Sequence, residues 1–130
     1  MLAPELDVSG SIAPGLMVKA DAALLQQVLH NLLGNAIKYN LPNGWIRISA
    51  SLEGGRVEVS IVNSSVGIPQ ADHERIFERF YRADPAHNRQ VEGVGLGLSL
   101  SREIVRAHGG DLVLADSGEG EVRFVVSLAM

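Results

Sequence analysis

The first strongly periodic stretch of the chain predicts an amphipathic helix. Between residues 24 and 37, apolar pairs recur four positions apart, the spacing that places apolar side chains on one helical face. Asp21 lies just before the first pair and is a favourable residue for capping a helix N-terminus. We expect a helix of about sixteen to nineteen residues. It should end near Tyr39, because Pro42 and an Asn-Gly pair follow.

Two stretches in which apolar and polar residues alternate predict β-hairpins. The first covers residues 46–61 with a Gly-Gly turn, and the second covers residues 112–128 with a Ser-Gly-Glu-Gly turn. Alternation sends successive side chains to opposite faces of a strand, so each hairpin is expected to bury one face.

The region between the hairpins predicts two more helical segments. Residues 71–81 indicate a short helical stretch, residues 82–92 are polar and irregular, and a helix after Gly97 is closed by Gly109. Helices and hairpins in this order favour an α/β fold. We expect a two-layer sandwich in which about three helices cover one face of a mixed, mostly antiparallel sheet of about five strands.

Composition narrows the functional classes. A chain of 130 residues that is 46% hydrophobic and 20% charged is expected to fold as one domain, residues 1–130, with residues 1–15 as an N-terminal lead-in. A net charge of −4 without a basic cluster disfavours nucleic-acid binding. The absence of cysteine excludes thiol chemistry, and the isolated histidines disfavour an imidazole-held metal. Without a signal peptide or an apolar run of ~20 residues, we expect no direct membrane contact.

Three polar residues of the first helix form a stripe beside its apolar face. Asn31, Asn35 and Lys38 are spaced so that they share one side of the helix. Asparagine is a poor helix former, so two of them beside the core require an explanation. Amide oxygens can ligate Mg²⁺, which usually shares its shell with substrate phosphates. The alternative is that both amides hydrogen-bond neighbouring segments and that Lys38 is a solvated surface cation.

A glycine-rich segment, Gly93-Val-Gly95-Leu-Gly97, directly precedes the second helix. Free backbone N–H groups and the positive end of the helix dipole favour an anion at this place. The segment does not directly follow a strand, which disfavours a dinucleotide-binding fold, and the sequence lacks the Gly-Lys-Ser/Thr of a P-loop. A flexible hinge is the alternative interpretation.

The order of four short motifs is more specific than any one of them. Along the chain they are Asn31-Leu-Leu-Gly-Asn35-Ala-Ile-Lys38-Tyr39, Asn63-Ser-Ser-Val-Gly67-Ile-Pro69, Ile76-Phe-Glu-Arg-Phe80-Tyr-Arg82 and Gly93-Val-Gly95-Leu-Gly97-Leu. In this order they resemble the N box, first glycine box, F box and second glycine box of the ATP-binding catalytic domain of bacterial sensor histidine kinases. The resemblance covers roughly residues 16–128. It implies the Bergerat-type ATP-binding fold that this domain shares with gyrase B, Hsp90 and MutL.

The resemblance implies ATP and Mg²⁺ as ligands and gives each motif a role. Asn35 resembles the principal Mg²⁺ ligand, with Asn31 beside it. Phe77 and Phe80 resemble the anchors of a mobile lid over residues 82–94. The residues implied to act in catalysis are Asn31, Lys38, Arg82 and Arg89, although an exposed arginine is as readily solvated as bound to phosphate. The residues implied to bind the nucleotide are Asn31, Asn35, Lys38, Tyr39, Asn63, Gly67, Ile68, Phe80, Gly93, Val94, Gly95, Leu96 and Gly97.

One position departs from the family pattern. The family normally has an aspartate where this chain has Asn63, and that carboxylate accepts a hydrogen bond from the adenine amino group. The amide oxygen of Asn63 can accept the same bond, but loss of the charge is expected to weaken the contact by ~1–2 kcal/mol. Some kinases that resemble heavy-metal sensors carry an asparagine-containing version of this box, which suggests that subgroup for this chain.

No residue of the chain lies in the setting of a phosphoacceptor histidine. His73-Glu is not followed by the proline of the acceptor motif, and His30 lies directly beside the N box. The resemblance therefore implies phosphorylation of a histidine on a separate dimerisation domain, with a response regulator downstream, in the cytoplasmic part of an inner-membrane sensor. Two alternatives stay open: a degenerate interaction module that no longer binds nucleotide, and an anti-sigma-factor serine kinase of the same fold.

Overall fold

The computed structural model describes residues 7–12, 15, 20–78, 97–118 and 120–129. These residues form five strands and two α-helices: β1 Asp7–Ile12, α1 Ala22–Lys38, β2 Trp45–Glu53, β3 Arg56–Ser64, α2 Gly97–Ala107, β4 Asp111–Gly118 and β5 Glu121–Ala129. Neither of these two helices is long and apolar enough to cross a membrane.

The five strands form one mixed sheet in the order β1-β2-β3-β5-β4. β1 runs parallel to β2, and the other three neighbouring pairs are antiparallel. Apolar residues of β2, β3 and β5, such as Ile46, Ile61 and Phe124, form one buried cluster with residues of α1 and α2. The predicted two-layer α/β sandwich with a mixed, mostly antiparallel sheet is therefore confirmed.

α1 forms where the apolar repeat predicts a helix. The Asp21 carboxylate accepts a hydrogen bond from the backbone N–H of Leu24 at 3.1 Å, which caps the first turn as expected. The helix ends at Lys38 with Tyr39 as its C-cap, as the sequence predicts. The fully buried side chains of the helix follow one another by four residues: Val28, Leu32 and Ala36.

β1 is a strand that the sequence pattern does not predict, since it lies within the expected lead-in of residues 1–15. All six of its residues are exposed, including Val8 at 59% and Ile12 at 68%. A strand whose side chains are not buried needs no alternating apolar pattern, so its sequence resembles that of a loop. Backbone pairing with β2 along its whole length places it in the sheet.

The helical stretch predicted over residues 71–81 consists of two 3₁₀ turns, Gln70–Asp72 and Arg75–Phe77, rather than one continuous helix. Over residues 71–78, the part of this stretch that the structure describes, only Ile76 is fully buried. One buried side chain does not give a helix an apolar face, and most helices in proteins depend on such packing. Residues 79–81 lie outside the described part of the chain.

His108 joins the end of α2 to the start of α1. Its Nε2 accepts a hydrogen bond from the backbone N–H of Asp21 at 3.1 Å, and its Nδ1 donates to the carbonyl of Ile104 at 2.7 Å. Since Nε2 is the acceptor, the ring proton lies on Nδ1. The side chain therefore ties the capping residue of α1 to α2 across 87 positions of sequence.

Removing this link is expected to destabilise the domain modestly. His108→Ala deletes both hydrogen bonds, so the free energy of unfolding should fall by ~1–2 kcal/mol. His30→Ala is the matched control, because His30 is exposed on α1 and its loss should change stability by less than ~0.5 kcal/mol. Urea unfolding followed by circular dichroism measures both variants. Equal stability of the two would contradict the role assigned to His108.

Candidate functional site

The predicted site residues that the structure describes come from elements that meet at one end of the sandwich. These elements are the C-terminal half of α1, the end of β3 with the loop after it, and the start of α2. Two hydrogen bonds connect them. Asn31 Nδ2 of α1 donates to Ser101 Oγ of α2 at 3.2 Å, and the hydroxyl of Ser64 in β3 donates to Asn40 Oδ1, just beyond α1.

Asn31 is half-buried where the two helices pack together. Its amide NH₂ group donates to Ser101, which is completely buried. This contact agrees with the structural alternative for the helix amides. It occupies only the nitrogen of the amide, so the carbonyl oxygen Oδ1 retains its capacity as a ligand or acceptor.

Asn35 and Lys38 lie near the C-terminal end of α1, followed by Tyr39, which is 41% exposed. Asn35 is half-buried and Lys38 is exposed. Neither side chain has a hydrogen-bond or ion-pair partner among the described residues. Lys38 is favourably placed at a helix C-terminus on electrostatic grounds alone. Together, an amide oxygen and an ammonium group on neighbouring turns are suited to a metal-bound phosphate.

Asn63 is the next-to-last residue of β3 and is only 5% exposed. In the sheet it lies opposite Ile46 of β2 on one side and Val122 of β5 on the other. Its Nδ2 donates to the carbonyl of Ser64 at 2.8 Å, which fixes the orientation of the amide. Within the described residues Oδ1 accepts no hydrogen bond, so this oxygen can accept one from a ligand N–H group.

The loop after β3 is held in a defined shape. The backbone N–H of Ser65 donates to the carbonyl of Gly120 at 2.9 Å, and the Ser65 hydroxyl accepts from the N–H of Gly67 at 3.1 Å. Gly67 has φ = +90°, a conformation that favours glycine. Ile68 packs against the core cluster, and its carbonyl is 2.9 Å from Nε2 of His73. A glycine with a positive φ and an apolar side chain therefore lie four and five positions after Asn63.

The remaining predicted residues divide between described and undescribed parts of the chain. Gly97 is the first residue of α2, so its backbone lies at the positive end of that helix. Phe77 is half-buried, and its ring meets Phe124 edge to face at a centroid distance of 6.3 Å. Seven predicted residues lie outside the described residues: Phe80, Arg82, Arg89, Gly93, Val94, Gly95 and Leu96. The expected lid, residues 82–94, also lies outside them.

Arg102 of α2 is a structural residue that the sequence reasoning missed. Its guanidinium carbon lies 4.1 Å from the centroid of the Phe77 ring, and its Nε is 3.7 Å from Oδ1 of Asp111.

The pKa of Asp111 is lowered by its neighbours. Burial alone would raise this pKa, but the Asp111 carboxylate accepts hydrogen bonds from Arg106 and from the backbone N–H of Leu112. These bonds, together with the charges of Arg106 and Arg102, lower the pKa overall. The ionised carboxylate therefore stabilises the fold at neutral pH, and this contribution is lost as the pH falls through its lowered pKa.

The ligand chemistry of the site rests on amides. Among the described residues, no group of three or more His, Cys, Asp or Glu side chains is placed to hold a metal ion. The amide oxygens of Asn31 and Asn35 are neutral hard donors, which suit Mg²⁺ when a substrate phosphate supplies the charge. The donor set therefore fits a metal that is bound together with a phosphate.

Comparison with known sequences identifies the family of the chain. The family of histidine kinase-, DNA gyrase B- and HSP90-like ATPases matches residues 20–130. The chain is 42% identical over 108 residues to the sensor histidine kinase WalK of Bacillus subtilis (82% of this chain, 18% of WalK). It is 42% identical over 114 residues to the probable sensor protein PcoS of Escherichia coli (88% of this chain, 24% of PcoS). The chain thus spans about a fifth of the length of these relatives.

Solved structures share both fold and sequence with the chain. The catalytic domain of histidine kinase ThkA superposes with a TM-score of 0.82 at 32% identity, covering 95% of this chain and 78% of that domain. Full-length ShkA in complex with AMPPNP superposes with a TM-score of 0.80 at 28% identity, covering 95% of this chain and 25% of the ShkA chain. ThkA in complex with the response regulator TrrA superposes with a TM-score of 0.77 at 31% identity, covering 95% of this chain and 34% of the matched chain. Because the family match spans most of its length, the chain belongs to the histidine kinase-, DNA gyrase B- and HSP90-like ATPases, as a catalytic domain of the sensor histidine kinase type.

Proposed function

We propose that this chain binds Mg²⁺-ATP at the end of the sandwich and transfers the γ-phosphate to a histidine on a separate dimerisation domain. The observation that carries the proposal is the junction of α1 with β3. There Asn35 and Lys38, whose side chains have no partner among the described residues, lie near the end of α1. Hydrogen bonds through Asn40 join this helix end to the strand end that contains Asn63. A nucleoside triphosphate requires an amide oxygen for its metal ion, an ammonium group for its phosphates and a buried hydrogen-bond acceptor for its base.

The base of the nucleotide is assigned to the end of β3. Asn63 Oδ1 accepts a hydrogen bond from the adenine amino group, because its amide nitrogen is already committed to the Ser64 carbonyl. Gly67 lets the backbone approach the ring, and Ile68 and Tyr39 border the base and the sugar. A buried polar acceptor beside apolar contacts is the usual way in which a pocket orients a flat ligand.

The phosphates are assigned to the end of α1 and the start of α2. Lys38 offers a positive charge, and the backbone at Gly97 offers the N-terminal end of a helix. On the family resemblance, we assign Arg82 and Arg89 as further cations and the backbone N–H groups of Gly93, Val94, Gly95 and Leu96 as further donors. The same resemblance assigns Phe80 to nucleotide binding.

The magnesium ion is assigned to the amide oxygens of the helix. Asn35 holds it through Oδ1, and Asn31 contributes through its own Oδ1 while its nitrogen stays bonded to Ser101. When bound, Mg²⁺ neutralises charge on the phosphates. The part of the protein itself is to orient the nucleotide, since phosphoryl transfer depends largely on positioning and electrostatics.

The transfer step requires a second domain. An imidazole nitrogen of the acceptor histidine forms the new N–P bond as the bond between the β,γ-bridging oxygen and the γ-phosphorus breaks, and ADP leaves. A response regulator then receives the phosphate, in line with the ThkA complex with TrrA. Since ATP is a cytoplasmic substrate, we place the domain in the cytoplasmic part of an inner-membrane sensor. The heavy-metal subgroup stays a prediction.

A phosphotransfer assay tests this function. The chain is incubated with γ-³²P-labelled ATP, Mg²⁺ and the dimerisation domain of its full receptor. We expect label on that domain that is lost in acid, as is characteristic of phosphohistidine, and no label when the acceptor histidine is replaced by glutamine. Acid-stable label would favour a serine kinase. No transfer and no nucleotide binding would favour the degenerate interaction module.

A further inference from the structure

Asn40 uses its whole side-chain amide to join three elements. Nδ2 donates to the carbonyls of Ala36 in α1 and Trp45 in β2, both at 3.0 Å. Oδ1 accepts from the backbone N–H of Leu41 at 2.8 Å and from the Ser64 hydroxyl at the end of β3. A carboxamide offers two donors and two lone pairs, so every hydrogen-bonding position of Asn40 is satisfied.

Ser64 completes the junction from the side of the sheet. It is only 4% exposed, and its oxygen accepts the backbone N–H of Trp45 at 2.9 Å while its proton goes to Asn40. We call these two side chains, with the Trp45 backbone between them, the Asn40–Ser64 latch. The latch connects the last turn of α1 to the first residue of β2 and the last residue of β3.

Gly44 shows how closely the chain packs around the latch. A Cβ atom at Gly44 would overlap Asn40 Oδ1 and Ser64 Oγ, and would lie 2.9 Å from the carbonyl of Leu41. The turn closes with a hydrogen bond from Gly44 N to Leu41 O at 3.0 Å. Only glycine leaves room for this approach, so the local sequence is specialised for the junction.

The position of the latch relates it to the proposed nucleotide site. Asn35 and Lys38 precede Asn40 on the same helix end, and Asn63 directly precedes Ser64 on the strand. We infer that Asn40 and Ser64 are positioning residues, which set the distance between the phosphate end of the site on α1 and the base end on β3. This inference rests on the proposed function, because it requires one ligand that contacts both ends.

The latch predicts a difference between long and short ligands. A ligand that contacts both ends binds more tightly when the ends are already correctly spaced, because less ordering is required on binding. Adenosine lacks phosphates, so at the helix end it can contact Tyr39 but makes no use of Asn35 or Lys38. Loss of the latch should therefore weaken binding of an ATP analogue more than binding of adenosine.

Ser64→Ala tests the inference. Binding of AMPPNP with Mg²⁺ is measured by calorimetry and binding of adenosine by NMR titration, at a temperature where each variant is folded by circular dichroism. We expect AMPPNP binding to weaken about fivefold and adenosine binding to change by less than about twofold. Asn40→Ala, which removes the same bond from the helix side, should give the same selective loss.

Ser60→Ala is the matched control. Ser60 lies on the same strand and also loses a side-chain hydrogen bond, which it accepts from Arg123 at 2.9 Å, but it is not part of the latch. The control should keep the ratio of the two affinities. The inference is overturned if Ser64→Ala and Asn40→Ala lower stability yet keep that ratio. Failure of the unaltered chain to bind AMPPNP would instead overturn the proposed function.

Discussion

Asn35→Ala is expected to abolish the strengthening of nucleotide binding by Mg²⁺. In the presence of Mg²⁺, the affinity for AMPPNP should fall by about 10- to 150-fold. This is the effect of losing one contact to a charged group, which contributes ~1.5–3 kcal/mol. Without Mg²⁺ the affinities of the variant and the unaltered chain should be similar. The reason is that the Asn35 side chain has no partner among the described residues, so its removal deletes a ligand for the metal and little else.

The same feature makes the fold insensitive to this change. Asn35 is half-buried on α1, and alanine is a better helix former than asparagine, so the melting temperature should not fall. Gln27→Ala provides the control, because Gln27 is an exposed polar residue two turns earlier on the same helix. Undiminished Mg²⁺-dependent affinity in Asn35→Ala would contradict the assignment of the helix amides to the metal.

Asn63→Asp is expected to tighten ATP binding by about 5- to 30-fold, because a carboxylate accepts the adenine amino hydrogen more strongly by ~1–2 kcal/mol. The same change should lower the free energy of unfolding without nucleotide by ~1–3 kcal/mol. At present Nδ2 of Asn63 donates to the Ser64 carbonyl at 2.8 Å in a position only 5% exposed. An aspartate would lose this donor and face that carbonyl with a buried charge.

Two measurements on one variant separate these effects. Calorimetric titration gives the affinity, and urea unfolding in the absence of ligand gives the stability. Gln27→Glu is the control for charge, since it adds one negative charge on the exposed face of α1; neither quantity should change appreciably. Unchanged or weaker ATP binding in Asn63→Asp would show that this side chain does not contact the adenine.

The regular elements of the fold were predictable wherever burial leaves a period in the sequence. α1 buries residues that recur every four positions, and β5 alternates buried and half-buried side chains along its whole length. β1 escaped prediction because its six residues are exposed and it is held by backbone pairing with β2. Residues 71–81 were predicted as helical, but Ile76, the single buried residue among the described ones, does not define a helical period.

The site was predictable to the extent that its residues fall in short motifs. Asn31, Asn35 and Asn63 could be singled out from their spacing and order. Their contacts could not, because the bond from Asn31 to Ser101 spans 70 positions and depends on how α1 packs against α2. Long-range partners of this kind leave no local pattern.

The supporting residues were missed for the same reason. Asn40 and Ser64 lie next to the motif residues but look like ordinary turn and strand residues until the fold joins them across 24 positions. Arg102 likewise reads as a surface cation of α2, and only the packed structure places it over Phe77. Residues that position a site are therefore harder to find from one sequence than residues of the site itself.

Calorimetric titration of the chain with AMPPNP, in the presence and absence of Mg²⁺, tests the central claim most directly. We predict binding with one-to-one stoichiometry that becomes stronger when Mg²⁺ is added. At a concentration 100 times the dissociation constant, the ligand should also raise the free energy of unfolding by ~2.7 kcal/mol. No detectable binding at millimolar AMPPNP would contradict the account and identify the chain as a nucleotide-free module of the same fold.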